Sequence, residues 1–311
     1  MKAGKKMGRA MRLRAWMGRA RTYWATILPH CGQLDCSFAR RLWRRLRWWN
    51  GTIRLHGLGY CAPQCFEFAA RQRFTRICSI SAPTQPVQHR IPLGLLMLSR
   101  GQLSNRQLRS ALEAQQASGR HRLGEWLEKL GFATEQQITT ALGLQWACPV
   151  LTARVIPDSR CVRLIPFRIL ETYRMLPIQF VKATRTFYVA FSEGIDYGVL
   201  NAVEQMLDCR TEACLISRST MDEALEQIGR DRSAGDLLFE GWRHALEMAR
   251  ITTGYVLKLG AQNVRVVACG GYIWARLSAG RDVANLIFGR PGSQQTQPLA
   301  WDEPSIQQIT G

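Results

Sequence analysis

Apolar residues between positions 91 and 147 fall at helical spacing in two successive units, and the second unit repeats the first. Pro92-Leu93-Gly94, Met97, Gly101, Leu108, Leu112 and Gln115 recur thirty positions later as Arg122-Leu123-Gly124, Leu127, Gly131, Ile138, Leu142 and Gln145. Seven of these eight aligned positions match in type and mark an internal duplication. Each unit predicts a helix, a turn and a second helix. Leu123, Trp126, Leu127 and Leu130 share a helical face. Gly131 stands where a helix C-terminus favours left-handed geometry. Thr134 with Gln137 then reads as a capping box for a helix carrying Ile138, Ala141, Leu142 and Gln145 on one side. Gly101, Ser104 and Gln107 repeat that grammar in the first unit, and Gly119 and Arg120 form the spacer. A tandem pair of half-sites suits a ligand that is itself two-fold symmetric.

Downstream the apolar runs shorten and predict a small α/β lobe over residues 148–231. Its expected elements are a strand at Leu164 to Pro166, a helix at Phe167 to Tyr173, and strands at Ile178 to Phe180 and Phe187 to Phe191. A helix from Tyr197 to Leu207, a strand at Ala213 to Ile216 and a last helix capped by Thr220 complete it. Arg250 to Leu257 is helical. Two β-rich runs follow, joined through Gly270-Gly271, and read as a hairpin. The fold class expected is α+β: a tandem helical repeat, then a small α/β lobe, with a basic N-terminal extension and a short C-terminal β-hairpin region. The boundaries read as 1–50, 51–90, 91–147, 148–231, 232–290 and a tail at 291–311.

The repeated pattern resembles the N-terminal domain of type II secretion and type IV pilus assembly ATPases, known as the MshE or GspE N-terminal domain. The likeness continues through Ala147-Cys148-Pro149-Val150-Leu151, Ile156-Pro157, Leu164-Ile165-Pro166, Tyr173-Arg174-Met175-Leu176-Pro177 and Phe187-Tyr188-Val189-Ala190 to the helix around Ala224 to Ile228. It covers residues 91–231. In that family the tandem motif begins Arg-Leu-Gly, and many members bind cyclic di-GMP with it. The resemblance implies that Arg122, Leu123, Gly124, Leu127, Gly131, Leu142 and Gln145 line one half of such a site. Leu93, Gly94, Met97, Gly101, Leu108, Leu112 and Gln115 would line the other. The chemistry is coherent: Gly lets backbone approach a ligand, and Arg can stack on a purine or fork two bonds to guanine.

One position departs from the pattern. Pro92 stands where the family has Arg, so one half-site lacks its cation; His89, Arg90 and Arg120 are the nearby candidates to replace it. The competing reading is that the repeats keep Leu and Gly for packing alone. A weaker likeness links Gly260-Ala261-Gln262-Asn263-Val264-Arg265 to the segment in front of the family's motor, with Gln262-Asn263 for Ser-Asp and Arg265 for His.

Charge adds a further feature. Residues 1–50 hold thirteen Lys and Arg against one acid, Asp35, and so carry twelve of the nineteen net positive charges. Arg40, Arg41, Arg44, Arg45 and Arg47 alternate with Leu42, Trp43, Leu46, Trp48 and Trp49, a pattern suited to an anionic membrane surface. A solvated basic tail is the alternative, and charge alone does not make the chain a nucleic-acid-binding protein. No apolar run approaches the roughly 18–20 residues that span a bilayer. The expected location is cytoplasmic, peripheral to an inner membrane.

Ten cysteines are scattered rather than framework-like, which favours a reducing compartment. Cys31, Cys36, Cys61 and Cys65 fall in two pairs around the knuckle Tyr60-Cys61-Ala62-Pro63-Gln64-Cys65, a legitimate ligand set for structural zinc. His30 is an alternative ligand and free buried thiols are the competing reading.

No Gly-x4-Gly-Lys-Ser/Thr phosphate cradle, Gly-x-Ser-x-Gly elbow or His-Glu-x-x-His site occurs in the sequence. Glu67, Glu125 and Glu128 read as solvated helix residues. The chain is expected not to be an enzyme. Two functions remain open: a cyclic di-GMP sensor, favoured by the intact second motif, and an adaptor docking on a secretion or pilus assembly protein, favoured by Pro92.

Overall fold

The computed structural model describes residues 31–33, 36, 52–80, 90–119, 122–152, 157–231, 236–280 and 282–290. The Trp/Arg-rich stretch, His30, His89, Arg120 and the C-terminal tail lie outside them. In chain order the elements are β1 (Ile53–Leu55), β2 (Leu58–Tyr60), α1 (Pro63–Ser79), α2 (Leu93–Ser99), α3 (Asn105–Ser118), α4 (Leu123–Lys129) and α5 (Glu135–Trp146). Next come α6 (Ser159–Val162), α7 (Phe167–Thr172), β3 (Met175–Val181), β4 (Thr186–Phe191), α8 (Tyr197–Leu207), β5 (Arg210–Leu215) and α9 (Arg218–Asp231). The last are β6 (Asp236–Trp242), α10 (Ala245–Leu259), β7 (Asn263–Cys269), β8 (Tyr272–Ala279) and β9 (Asp282–Gly289). The fold class is α+β, with sheets ordered β2-β1-β7-β8-β9-β6 and β3-β4-β5. Among the described residues no helix is long and apolar enough to cross a membrane.

The chain divides into two compact units. The first takes residues up to Ser79 together with Arg243–Val266 and Ala275–Leu286. The second takes Ile80–Trp242, Val267–Trp274 and the residues from Ile287 onward. Neither unit is a continuous stretch of sequence.

In the second unit, the two repeats form the same helix–turn–helix twice. Ser104 Oγ and Thr134 Oγ1 each accept the N–H three residues on at 3.3 Å, and Gln107 and Gln137 accept the reciprocal backbone N–H at 2.9 and 2.8 Å. Both capping boxes are therefore complete. Gly101 and Gly131 share φ +69°, the left-handed turn that the spacing predicts. A Cβ on Gly94 would lie 2.6 Å from Leu108 Cδ1 and 3.1 Å from Leu123 Cδ2. On Gly124 it would lie 3.1 Å from Ile138 Cγ2 and 3.8 Å from Leu93 Cδ2. Each glycine thus admits one aliphatic side chain of its own repeat and one of the other. Leu93, Met97, Leu108, Leu123, Leu127 and Ile138 form the core between them.

The lobe pairs β3 antiparallel and β5 parallel to β4. A parallel pair needs a crossover, which α8 supplies. Asp196 caps that helix by accepting the Val199 N–H at 3.0 Å. Two sequence expectations are corrected. Leu164 to Pro166 is not a strand: it is the turn between α6 and α7, where Ile165 is fully buried and Pro166 is the N-cap. Proline cannot donate to a sheet ladder, which disfavours the extended reading. Nor is Thr220 a cap. Its N–H donates to Ser217 Oγ at 3.2 Å, so Ser217 opens α9.

The hairpin has a destination that its pattern does not disclose. Cys269 and Trp274 are fully buried in the lobe's core beside Met175, Phe187 and Phe191. Tyr173 Oη accepts the Gly271 N–H at 2.7 Å and donates to the Cys269 carbonyl at 3.3 Å. Gly270 adopts φ +53°, and a Cβ there would lie 1.8 Å from Tyr173 Oη. β9 is an additional strand; its Leu286-Ile287-Phe288 run is buried throughout, so no alternation marks it.

In the first unit α1 packs on α10, burying Phe66, Ala70, Phe74 and Ile77 of one and Met248, Ala249, Thr252 and Val256 of the other. β1 pairs antiparallel with β2 and parallel with β7. His56 Nε2 accepts the Val266 N–H at 3.0 Å, while Arg73 takes the Val266 carbonyl with two bonds of 3.2 Å. Burial lowers the His56 pKa, and the neighbouring Arg73 charge lowers it further.

Three outcomes follow. Gly270→Ala forces a left-handed alanine against Tyr173 and should lower stability by more than about 2 kcal/mol in urea unfolding. Gly254→Ala in α10, where a Cβ meets nothing within 4 Å, should instead raise it by about 0.5–1 kcal/mol. Because the folded chain holds His56 neutral, its contribution is complete above the unfolded value of about 6.5. It is lost as pH falls through that value to the lower folded pKa, so acid destabilisation over this range should shrink in His56→Ala.

Candidate functional site

The implied ligand residues divide by environment. Leu93, Gly94, Met97, Leu108, Leu123 and Leu127 are buried in the repeat core. Gly101 and Gly131 are exposed at the turns, whereas Leu112, Gln115, Gly124, Leu142 and Gln145 are half-buried. Pro92 and Arg122 occupy equivalent N-cap positions of α2 and α4. Each offers its carbonyl to the N–H four residues on, Leu96 at 3.0 Å and Trp126 at 3.3 Å. The backbone of the half-site is therefore kept at Pro92, and only the side chain differs.

One cation meets the loop from Ser192 to Asp196 directly, and a second is linked to it through Trp146. Arg122 reaches Glu193 with a 3.0 Å ion pair and is 32% exposed. Arg90 sits over Trp146, with its guanidinium carbon 3.2 Å from the ring centroid. Burial lowers the Arg90 pKa. Trp146 in turn packs on Gly194, where a Cβ would come within 2.7 Å of the ring. Gln145 donates to the Ile91 carbonyl at 2.8 Å, tying the end of the second repeat to the start of the first. In the same loop Ser192 is buried and its Oγ has no hydrogen-bond partner among the described residues.

The second repeat is joined to the lobe by further charges. Arg218 binds Glu125 at 2.6 Å and Glu193 at 3.7 Å. Burial pulls its pKa down, but the Glu125 hydrogen bond and charge outweigh this and raise it. Glu135 accepts the Ser219 N–H and hydroxyl, both at 2.7 Å, at the start of α9. Glu125 is therefore not a solvated helix residue but a 17% exposed ion-pair partner. Glu67 likewise meets Arg250 at 3.6 Å. Partners ninety residues distant leave no signal in local spacing. Such half-exposed pairs contribute about 1 kcal/mol or less each, so the network can be exchanged for other contacts.

The cysteine set of the first unit also assembles. The sulfurs of Cys31, Cys36, Cys61 and Cys65 all lie within 4.8 Å of one another. Burial pushes the Cys65 thiol up to about 11 and raises that of Cys61 further.

No family model and no curated protein matches the chain. Solved structures do. MshE with cdg is 31% identical, aligning over 44% of this chain and 99% of its own, with a TM-score of 0.38. The N-terminal domain of XpsE aligns in two crystal forms. One is 20% identical over 43% of this chain and 92% of its own (TM-score 0.35), the other 21% over 48% and 97% (TM-score 0.28). Superpositions at these scores carry no weight by themselves. The 31% identity across nearly the whole MshE chain does, and it agrees with the paired motifs. The chain belongs to the family of N-terminal domains of type II secretion and type IV pilus assembly ATPases.

Proposed function

We propose that the chain is a non-catalytic cyclic di-GMP sensor whose repeats and lobe change their mutual docking when the nucleotide binds. The observation that carries this reading is that Arg122 pairs with Glu193 of the Ser192 to Asp196 loop while Arg90 sits over Trp146, the ring that packs on Gly194 of the same loop. Arg90 supplies the cation missing at Pro92, already stacked on an aromatic ring as it would be on a purine. MshE, 31% identical, was solved with cdg.

The coupling is electrostatic. A ligand that draws Arg122 away from Glu193 removes one of the ion pairs between the second repeat and the lobe, leaving Arg218 as the partner of Glu193. Binding then favours one arrangement over the other by the difference in affinity between them. The changed face would be presented to a secretion or pilus assembly protein. A second reading, an adaptor without nucleotide, is favoured by the burial of the motif leucines and the use of Gly94 and Gly124 in packing.

Calorimetric titration of cyclic di-GMP into the full chain separates the two. The sensor predicts micromolar binding that Arg122→Ala and Arg90→Ala each weaken about tenfold or more, equivalent to ~1.4 kcal/mol. Glu193→Ala, which frees Arg122, should tighten binding. No heat at high ligand concentration sinks the sensor and leaves the adaptor.

A further inference from the structure

We infer that Cys31, Cys36, Cys61 and Cys65 form a closed tetrathiolate site for zinc, which fastens Cys31 and Cys36 to the end of β2 and to the start of α1. The geometry is that of a coordination sphere rather than of chance packing. Sulfur separations are 3.2 Å for Cys36–Cys61, 3.7 Å for Cys36–Cys65 and 3.7 Å for Cys61–Cys65. A tetrahedron with zinc–sulfur bonds of about 2.3 Å has edges of roughly 3.8 Å. None of the four is joined in a disulfide.

The local chain is built to hold those sulfurs. Gly32 donates to the Gly59 carbonyl at 2.9 Å, which lays Cys31 beside β2, and the Cys36 N–H donates to the Gln33 carbonyl at 3.3 Å. Tyr60 is buried against Phe66, edge to face at 6.3 Å, and so fixes the strand that leads into Cys61. Pro63 opens α1, and Cys65 lies in its first turn, where the helix dipole favours a thiolate. Both spacings, four and three intervening residues, fall within the range of structural zinc sites.

The donor set also selects the metal. Four soft thiolates in a tetrahedron suit zinc, whereas oxygen ligands would suit magnesium or calcium. No His, Asp or Glu joins the group among the described residues, and four sulfurs leave no position for water or substrate. The role is therefore structural. Metal affinity thereby becomes folding free energy for the chain around the site.

The test is independent of any nucleotide. Elemental analysis of the full-length protein, purified without chelator, should find about one zinc per chain. Cys36→Ser and Cys65→Ser should lose it and lower the thermal midpoint, while Cys78→Ser and Cys209→Ser keep both. Should the serine variants fail to fold, cobalt(II) added to chelator-stripped wild type should give tetrahedral d–d bands with thiolate charge transfer, displaced by zinc. Less than about a tenth of an equivalent of zinc, together with no cobalt spectrum, overturns the site. So does a Cys36–Cys61 disulfide found by mass spectrometry.

Discussion

The second unit depends on two missing methyl groups. Gly94 and Gly124 let the helices of the repeats approach until Leu93 and Leu123 cross into each other's half, and every other contact in the repeat core is set by that distance. Interiors are close-packed, so a gap or an excess of one carbon is felt by all the neighbours. The reciprocity also fixes the pseudo-two-fold relation of the half-sites. Because each glycine admits one residue from each repeat, neither unit can shift without the other.

This constraint separates the roles of the motif residues. The leucines and glycines hold the frame, and the variable chemistry falls to the positions at its rim. There Arg122 faces a carboxylate and Pro92 presents only an uncharged ring, with Arg90 reaching the neighbourhood from two residues upstream. A frame secured by packing can tolerate such a loss without changing shape. The rim is different: it is joined to the lobe by exposed and half-exposed ion pairs, individually weak and responsive to any competing charge.

What was legible in the sequence was local. Both capping boxes, the paired glycine turns and the thirty-residue offset follow from side chains a few positions apart, and the structure repeats them nearly to the tenth of an ångström. The strand misplaced at Leu164 to Pro166 shows the limit: a buried Ile165 between two prolyl-bounded helical turns has the same short apolar signature as a strand. Thr220 misled for a related reason, since Ser217 and Thr220 both carry hydroxyls and exchange a hydrogen bond across one turn. The partners of Arg122, Arg218 and Glu135 were beyond reach because folding, not spacing, brings them together. The four cysteines were legible only as types in pairs; that their sulfurs meet is a fact of the fold.

Trp274 and Cys269 place a late segment inside an early core. A chain emerging from the ribosome completes the helices and strands of the lobe well before residue 274 exists, yet the largest fully buried side chain of that core arrives only with the hairpin. Until then the lobe must carry an open apolar socket lined by Met175, Phe187 and Phe191, with Tyr173 lacking its backbone partners. Contacts of such long sequence separation form slowly, and exposed apolar surface in the interval invites association. The order of synthesis thus runs against the order of assembly, and the lobe matures as a passenger of the sequence that follows it.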